Sequence, residues 1–450
     1  MNLTTRATAD QGGQQATPAG SSADDSRAEL LIRYLGDFAP VVIESAKGSW
    51  LRTRDGAAVL DFASGQICST LGHRHPRVVN ALHEALDTLM HLDSKMLSEP
   101  VLDLADRLAH SLPEGLNRSI FLNTGAEANE VAVKLAKMFT GNFEVVGVAR
   151  SFHGVTTGTA SYTFLPARRG YGPLLPGAHA VPAPYAYRCP IRHCAGKCDM
   201  ACLESGFDQV QQTAVASPAA FIVEPVLSSG GIIVPPDGYL SRAKELCEEH
   251  GTLLIVDESQ TGLGRLGTCY GFQHDGVVPD IVVLSKTLGG GMPLSATVTT
   301  SDIEQRCADN GFSHITSHVS DPLPAVAGLA VLDVVEEERL EERAAGMGDY
   351  LMTALHQLEN KYDCVGDVRG RGLLVGLEFV VSKQDPVPAE GMAARVAARC
   401  LERGLSLHAI PTGKKAHCFR IAPPLTVSKD DIDFAVGVID DAIAEVCQRP

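Results

Sequence analysis

An acid and a lysine end two apolar segments in the middle of the chain. Leu253–Val256 leads directly into Asp257, and Ile281–Leu284 leads through a serine into Lys286. Short segments without polar residues are typical of buried parallel strands, and ligands bind at the carboxyl edge of such sheets. A salt bridge between Asp257 and Lys286 is one interpretation. The alternative is a pyridoxal phosphate (PLP) site, in which the lysine amine bonds the cofactor and the acid pairs with its ring nitrogen.

A small glycine-containing turn provides a candidate site for an anion. Thr124-Gly125-Ala126 follows the apolar segment Ser119–Leu122 and precedes a predicted helix, Val131–Phe139. The free N–H groups and the dipole at a helix start attract negative charge, so the turn is predicted to bind a phosphate. An ordinary N-cap by Thr124 is the alternative.

Two further segments carry side chains suited to a flat ring and to a carboxylate. Phe152 lies next to His153, and its ring could stack on a planar ligand or simply pack in the core. Arg420 is flanked by apolar residues and followed by two prolines. Its planar guanidinium suits a substrate carboxylate, although a structural salt bridge would use the same group.

Composition limits the classes of function. The chain has 450 residues and a net charge of −16, which argues against an extended nucleic-acid surface. No apolar run reaches the length of a membrane span, and the first residues lack a signal-peptide pattern, so a cytoplasmic location is expected.

Four of the twelve cysteines cluster, but their spacing does not match paired zinc knuckles, and reduced thiols are favoured over a metal site or disulfides. These four are Cys189, Cys194, Cys198 and Cys202. Single cysteines such as Cys68, Cys364 and Cys447 are interpreted as buried thiols.

The order of the segments predicts the domain organisation. Residues 1–26 are polar and predicted to be a disordered tail. Short apolar strands then alternate with amphipathic helices, which indicates an α/β fold with a mainly parallel sheet. We expect residues 27–70 to start a small domain, residues 71–322 to form a large domain, and residues 323–450 to complete the small α+β domain.

These elements, in this order, resemble the class III, fold type I PLP-dependent aminotransferases from Leu30 to the C-terminus. The resemblance implies a seven-stranded sheet in the large domain, and PLP as cofactor. Within the class, Leu60–Gln66, Glu224–Ile233 and His318–Leu323 are similar to the 2,2-dialkylglycine decarboxylases. That similarity implies that CO2 and a ketone leave the substrate and that a 2-keto acid such as pyruvate takes the amino group. A class III aminotransferase acting on an ω-amine or amino acid without loss of CO2 is the alternative.

The resemblance also assigns roles to residues. Lys286 would bond the cofactor and move protons, Gln66 would contact the departing carboxylate, and Arg420 the carboxylate that stays. The implied cofactor-binding set is Thr124, Gly125, Ala126, Phe152, His153, Asp257, Gln260, Lys286 and, from a neighbouring subunit, Ser317. Gln260 would bond the ring's phenolic oxygen, and Phe152 would stack on the ring where the decarboxylases have Trp. Val155 stands where they have Met, so the pocket wall is smaller.

A cation and a partner subunit are implied in the same way. The oxygen atoms of five residues would bind a monovalent cation, potassium or sodium. They are Leu92, Ser94, Ser317, Val319 and Asp321. A homodimer or homotetramer is expected, with each site at a subunit interface, small amino and 2-keto acids as substrates, and no nucleic-acid or membrane partner.

Overall fold

The computed structural model describes residues 25–34, 38–168, 170, 172–189, 191, 198–411 and 415–448. Residues 1–24 of the predicted tail lie outside this range. The described residues up to Val42 belong to one unit, and those from Ile43 onward form a second, compact unit. Among the described residues, no helix has both the length and the apolar character that spanning a bilayer requires.

The strands and helices follow in chain order. The strands are β1 (Ile43–Lys47), β2 (Trp50–Thr53), β3 (Ala58–Asp61), β4 (Leu116–Leu122), β5 (Val145–Val148), β6 (Ala178–Val181), β7 (Ala220–Val223), β8 (Leu253–Asp257), β9 (Ile281–Leu284), β10 (Ser295–Thr300), β11 (Val365–Arg371), β12 (Leu374–Phe379), β13 (Leu405–Ser406), β14 (His408–Ile410) and β15 (Cys418–Ile421). The helices are α1 (Asp25–Ala28), α2 (Ser64–Ile67), α3 (Pro76–Leu86), α4 (Glu99–Ser111), α5 (Gly125–Thr140), α6 (Thr157–Ser161), α7 (Ala201–Thr213), α8 (Tyr239–His250), α9 (Ser301–Asp309), α10 (Pro322–Glu337), α11 (Leu340–Lys361), α12 (Met392–Glu402) and α13 (Lys429–Gln448).

The central sheet has seven strands in the order β4-β10-β9-β8-β7-β5-β6. Only β10 is antiparallel to its neighbours. Both faces are covered, because Leu254 and Val256 of β8 pack in one apolar cluster while Leu253 and Ile255 pack in another. This arrangement explains why the strands lack polar residues, and it confirms the predicted mainly parallel seven-stranded sheet.

Two helix boundaries differ from the prediction. Helix α5 begins at Gly125 instead of Val131, because Thr124 caps it: its Oγ1 accepts the N–H of Glu127 at 3.3 Å. The small residues of this first turn lack the apolar periodicity that revealed the rest of the helix. The sequence pattern also predicts a helix over Ala325–Glu342, but α10 ends at Glu337, since Arg339 adopts a left-handed φ of 50° before α11 begins.

Two smaller sheets complete the compact unit. The first has the order β1-β2-β3-β13, with β13 parallel to β3, so an early segment of the chain pairs with a late one. The second is the antiparallel sheet β11-β12-β15-β14, in which Arg420 of β15 lies opposite Gly376 and His408. The division into residues 27–70, 71–322 and 323–450 stays a prediction.

Candidate active site

A cavity of about 380 Å³ opens at the carboxyl edge of the central sheet. It brings together most of the residues predicted to hold a cofactor. Those that line it are Thr124, Gly125, Ala126, Phe152, His153, Asp257 and Lys286. The strands β4, β8 and β9 end here, and the tight turns after them point these side chains into one space.

Lys286 follows β9 and adopts a left-handed φ of 45°, which a lysine adopts only when its surroundings hold it there. Burial is the largest influence on its amine and lowers its pKa, and the positive charge of Arg420 acts in the same direction. Asp257 opposes this effect, but the net pKa of Lys286 lies below the ordinary lysine value. More of the amine is therefore neutral, which is its nucleophilic form.

Asp257 is buried and held by three donors. Its Oδ2 accepts hydrogen bonds from His153 Nδ1 and from Asn129 Nδ2, both at 2.8 Å, and its Oδ1 accepts the N–H of Ser259 at 3.0 Å. Burial alone raises the pKa of Asp257, but the hydrogen bond and charge of His153, the bond from Ser259 and the charge of Lys286 together outweigh it, so the net pKa is lowered. The group is an oriented carboxylate, suited to pair with a protonated ring nitrogen.

The N-terminus of α5 forms an open cradle in the cavity. Helix geometry leaves the first N–H groups of α5 without intrahelical partners, and hydroxyls from β10 fix the turn from behind. Ser295 Oγ donates to Thr124 O at 2.9 Å, and Thr297 Oγ1 donates to Ala128 O at 2.8 Å. Gly125 is needed here, because a Cβ at this position would lie 2.9 Å from Ser259 Oγ. The cradle suits a phosphate group.

Arg420 is buried among neutral partners. Its Nη1 donates to Gln260 Oε1 at 2.9 Å, and its Nη2 donates to Gln66 Oε1 at 3.1 Å and to His408 Nδ1. Burial and the charge of Arg420 lower the pKa of His408 to about 3, so this imidazole is neutral near pH 7. Burial also lowers the pKa of Arg420 to about 10, which leaves the guanidinium charged. Among the described residues, no carboxylate forms an ion pair with it, and its Nε lacks a partner.

Gln66 lies in α2, a single strained turn after β3 whose backbone departs from helical geometry at Gly65 and Gln66. Ser64, Gly65 and Ile67 have positive φ values of 46°, 65° and 64°. The carboxylate of Asp61 holds the turn by accepting the N–H groups of Ala63 at 3.0 Å and Gly65 at 2.7 Å. Such backbone strain is typical of sites where a side chain must point in one direction. Here the turn directs the Gln66 amide at Arg420.

Glu224 is a buried acid that the sequence analysis did not single out. Its Oε1 accepts the N–H of Phe152 at 2.9 Å and its Oε2 the N–H of Ser228 at 3.3 Å. Burial raises the pKa of Glu224 to about 7. Ser228 Oγ in turn donates to Gln260 at 2.9 Å. Glu224 therefore fixes the backbone beneath Phe152 and the loop that supports Gln260.

The predicted cation ligands are brought together only in part. Ser94 Oγ donates to Thr316 O at 3.2 Å, which joins the two segments that carry them. Both carboxylate oxygens of Asp321 already accept hydrogen bonds, from His91 Nδ1 at 2.6 Å and from His318 Nδ1 at 2.5 Å. Ser317 is exposed and does not line the cavity of its own chain. The ligand atoms of His91, His318 and Asp321 all lie within 4.8 Å of one another, close enough to hold a metal ion together.

Two residues that line the cavity were not predicted from the sequence to do so. Cys68, interpreted as an ordinary buried thiol, lines the cavity and lies within electrostatic range of Lys286 and Arg420. Ser259 also lines it, and its buried Oγ has no partner among the described residues. Neither lies in a pattern that marks it for chemistry. Of the cysteine cluster, Cys189, Cys198 and Cys202 are free thiols, while Cys194 lies outside the described residues.

The arrangement fits PLP. Ser259 Oγ, Asn129 Oδ1 and His153 Nε2 are buried polar atoms without partners in the described part of the chain, and all three residues line the cavity. A buried polar atom left without a partner is costly, so such atoms at a cavity wall indicate a polar ligand. A carboxylate for a ring nitrogen, an amine for an aldehyde and a cradle for a phosphate occupy one space.

Known proteins resemble this chain over nearly its whole length. Residues 35–443 match the family model of aminotransferase class-III. An uncharacterized aminotransferase of Schizosaccharomyces pombe is 45% identical over 414 residues, 92% of each chain. A leucine/methionine racemase of Thermococcus litoralis is 34% identical over 413 residues, 91% of this chain and 92% of that protein. The solved omega transaminase of Pseudomonas jessenii, in complex with PMP, has a TM-score of 0.87 at 27% identity, over 95% of this chain and 99% of that one.

Proposed function

This chain belongs to the class III aminotransferases, PLP-dependent enzymes of fold type I, and from that premise we propose that it catalyses decarboxylation-dependent transamination of a 2,2-disubstituted glycine. CO2 and a ketone leave in the first half of the reaction. A 2-keto acid such as pyruvate receives the amino group in the second. The observation that carries the proposal is the neutral set of partners around Arg420, with Gln66 among them.

Each part of the cofactor has a residue suited to it. PLP, when bound, supplies an electron sink that stabilises the charge left on Cα when a bond to that atom breaks. Lys286 would hold the aldehyde carbon, Asp257 the ring nitrogen and Gln260 the phenolic oxygen. The N-terminus of α5 would hold the phosphate, and Phe152 would cover one face of the ring. His153 keeps Asp257 ionised, and both His153 and Asn129 orient it.

Gln66 and Arg420 would divide the recognition of two carboxylates. Gln66 Oε1 accepts from Arg420, so Gln66 Nε2 remains as a donor for an incoming carboxylate. An amide donates a hydrogen bond to a carboxylate but does not neutralise its charge. When the carboxylate departs as uncharged CO2, the interaction that is lost is therefore weaker than the interaction with a guanidinium would be. Arg420 would instead hold the carboxylate that stays on the keto acid. The Nζ of Lys286, with its lowered pKa, would carry the proton between the reacting carbon atoms.

A partner subunit and a cation extend the proposal. Ser317 would reach the phosphate of a neighbouring subunit in a homodimer or homotetramer. Potassium or sodium would bind oxygens of five residues. These are Leu92, Ser94, Ser317, Val319 and Asp321. A cytoplasmic location stays a prediction from the sequence.

The test is a reaction of the purified enzyme with 2-aminoisobutyrate and pyruvate. The proposal expects CO2, acetone and alanine in equal amounts. The Gln66→Ala variant is expected to lose CO2 release by about tenfold or more while it keeps the cofactor's absorption band, since one charged hydrogen bond contributes about 1.5–3 kcal/mol. Gln209→Ala, which removes an exposed glutamine from α7, is the matched control.

Two outcomes would reject this reaction. If the enzyme transaminates ω-amines or ordinary amino acids but releases no CO2 from 2-aminoisobutyrate, the alternative of a non-decarboxylating class III aminotransferase is correct. If Gln66→Ala loses CO2 release and cofactor absorption to the same degree, Gln66 supports the fold and does not select the broken bond.

A further inference from the structure

Two cysteines from distant parts of the chain meet at the end of the last helix. Cys364 immediately precedes β11, and Cys447 lies in the last turn of α13. Their Sγ atoms are 2.9 Å apart, although 83 positions separate the two residues. Both are free thiols. A disulfide bond is about 2.05 Å long, so only a small movement of these side chains would bring the sulfur atoms to bonding distance.

A cavity of about 410 Å³ opens beside this pair. Cys364, Cys447 and Arg395 of α12 are among the residues that line it. Lys361, also at the wall, is already paired with Asp440, with both N–O distances at 2.7 Å. Arg395 is exposed, and no described side chain forms an ion pair with it. The cavity therefore has room for a small molecule. Its wall carries the unpaired guanidinium of Arg395, which suits a carboxylate, and also the carboxylate of Asp363.

We propose that Cys364 and Cys447 are a redox-active dithiol that reacts with a small, carboxylate-bearing disulfide bound in this cavity. The Cys447 thiolate attacks one sulfur of the small disulfide, which forms a mixed disulfide and releases one small thiol. The Cys364 thiolate then attacks the Cys447 sulfur and releases the second small thiol. Two protein thiols are oxidised to one disulfide, and the small disulfide is reduced to two thiols.

The surroundings of the two thiols set this order of attack. Cys447 is exposed, while Cys364 is half-buried. Burial, then the contact with Cys447, then the charge of Asp363 raise the pKa of Cys364 to about 12, so its thiolate is scarce while Cys447 is free. Once Cys447 is in the mixed disulfide, its hydrogen bond and charge no longer raise the pKa of Cys364, and burial remains as the largest influence. The half-buried Cys364 thiol lies 2.9 Å from the Cys447 sulfur, so it is placed for the second, resolving attack.

The disulfide would tie the C-terminal helix to the sheet that carries Arg420. The closed loop contains β11, β12, β14 and β15. A cross-link over so long a loop restricts the unfolded chain and raises stability. Oxidised protein is therefore expected to unfold at a temperature a few degrees higher than reduced protein. This inference is independent of the reaction proposed for the active site.

The test treats the full-length holoenzyme with oxidised glutathione, alkylates the remaining thiols and measures intact mass and linked peptides. The expected result is one Cys364–Cys447 peptide and the loss of two hydrogens. Cys364→Ser should accumulate the glutathione mixed disulfide at Cys447, and Cys447→Ser should form neither product. Retention of both thiols in the wild-type enzyme, or linkage of either cysteine to a different one, would overturn the proposal.

A second variant tests the recognition of carboxylates. Arg395→Gln is expected to slow the reaction with oxidised glutathione about threefold, the size of an exposed charge interaction, and to leave the reaction with uncharged hydroxyethyl disulfide unchanged. Arg399→Gln, the same change on the same helix, is the matched control and should alter neither rate. Equal rates of Arg395→Gln and wild type with both reagents would show that Arg395 does not select the disulfide.

Discussion

The Nη2 of Arg420 donates a 3.1 Å hydrogen bond to the Oε1 of Gln66, a residue 354 positions earlier in the chain. Arg420 belongs to the antiparallel sheet β11-β12-β15-β14, and Gln66 to the strained turn after β3. The contact therefore joins two segments that only the folded chain brings together. Because the partners of Arg420 are neutral, its charge remains for a substrate carboxylate.

Gln66→Glu tests this relationship directly. A carboxylate in place of the amide would pair with Arg420 and compete with the keto acid for the same guanidinium. The KM for pyruvate is expected to rise about tenfold, which corresponds to about 1.4 kcal/mol. The cofactor's absorption spectrum should change little. Gln209→Glu adds the same charge on the exposed surface of α7 and should leave KM unchanged. An unaltered KM in Gln66→Glu would place the keto-acid carboxylate elsewhere.

His153→Gln tests how Asp257 is kept ionised. His153 and Asn129 donate to the same oxygen of Asp257 at the same 2.8 Å, but His153 also lowers the pKa of Asp257 through its charge. The variant is expected to bind PLP about tenfold more weakly, as judged by absorbance titration of the cofactor-free protein. The pH at which the cofactor's absorption spectrum changes should also shift, because the pKa of Asp257 rises when the charge of His153 is removed.

Asn129→Ala is the comparison for His153→Gln. It removes a neutral hydrogen bond from the same carboxylate, so it should weaken PLP binding with little shift in the spectral titration. If the two variants have the same pH profile, His153 acts on Asp257 as a neutral hydrogen-bond donor does, and its charge does not lower the pKa of Asp257.

Much of the candidate site follows from local sequence patterns. Asp257 and Lys286 each follow a wholly apolar strand, and such strands are parallel neighbours whose ends meet at one edge. The partners of Asp257 could not be identified in this way, because His153 and Asn129 reach it from 104 and 128 positions away. Their approach depends on how α5 and the segment after β5 pack against the sheet.

Other features were hidden because their local patterns are ordinary. The first turn of α5 consists of small residues without apolar periodicity, so its start at Gly125 could not be predicted. Cys68 resembles any buried thiol until the turn after β3 places it at the cavity wall. The contact between Cys364 and Cys447 arises only when α13 packs against α11 and α12. In each case long-range packing decides what a residue faces.

Gly125→Ala tests the cradle at the start of α5. The added methyl group would lie 2.9 Å from Ser259 Oγ and 3.4 Å from Ser285 Cβ, so either the turn or the Ser259 hydroxyl must shift. We expect the dissociation constant for PLP to rise about tenfold, because the first N–H groups of α5 move away from the phosphate. The measurement is an absorbance titration of the cofactor-free protein.

Ser259→Ala provides the control for this clash. Alone it should weaken PLP binding only modestly, by the loss of one hydroxyl donor. In the double variant the closest contact of the new methyl group is gone. The loss of PLP binding in the double variant should therefore be smaller than the sum of the losses in the two single variants. Strict additivity would mean that the 2.9 Å contact is not what disturbs the cradle.

Glu224→Gln tests the buried acid beneath Phe152 through the pH dependence of stability. Burial raises the pKa of Glu224 from 4.5 to about 7, so between these values the folded state holds a proton that the unfolded state has released. The stabilising contribution of the group is therefore complete below about pH 4.5 and declines as the pH rises towards about 7. The wild-type free energy of unfolding should fall between about pH 4.5 and about pH 7 by up to about 3 kcal/mol from this group, at about 1.4 kcal/mol per pKa unit. Thermal or denaturant unfolding of Glu224→Gln should lack this part of the decline, whereas Glu114→Gln, at an exposed position, should retain it. Parallel curves for wild type and Glu224→Gln would mean that Glu224 ionises as an ordinary glutamate and that its contacts with Phe152 and Ser228 are made by a charged group.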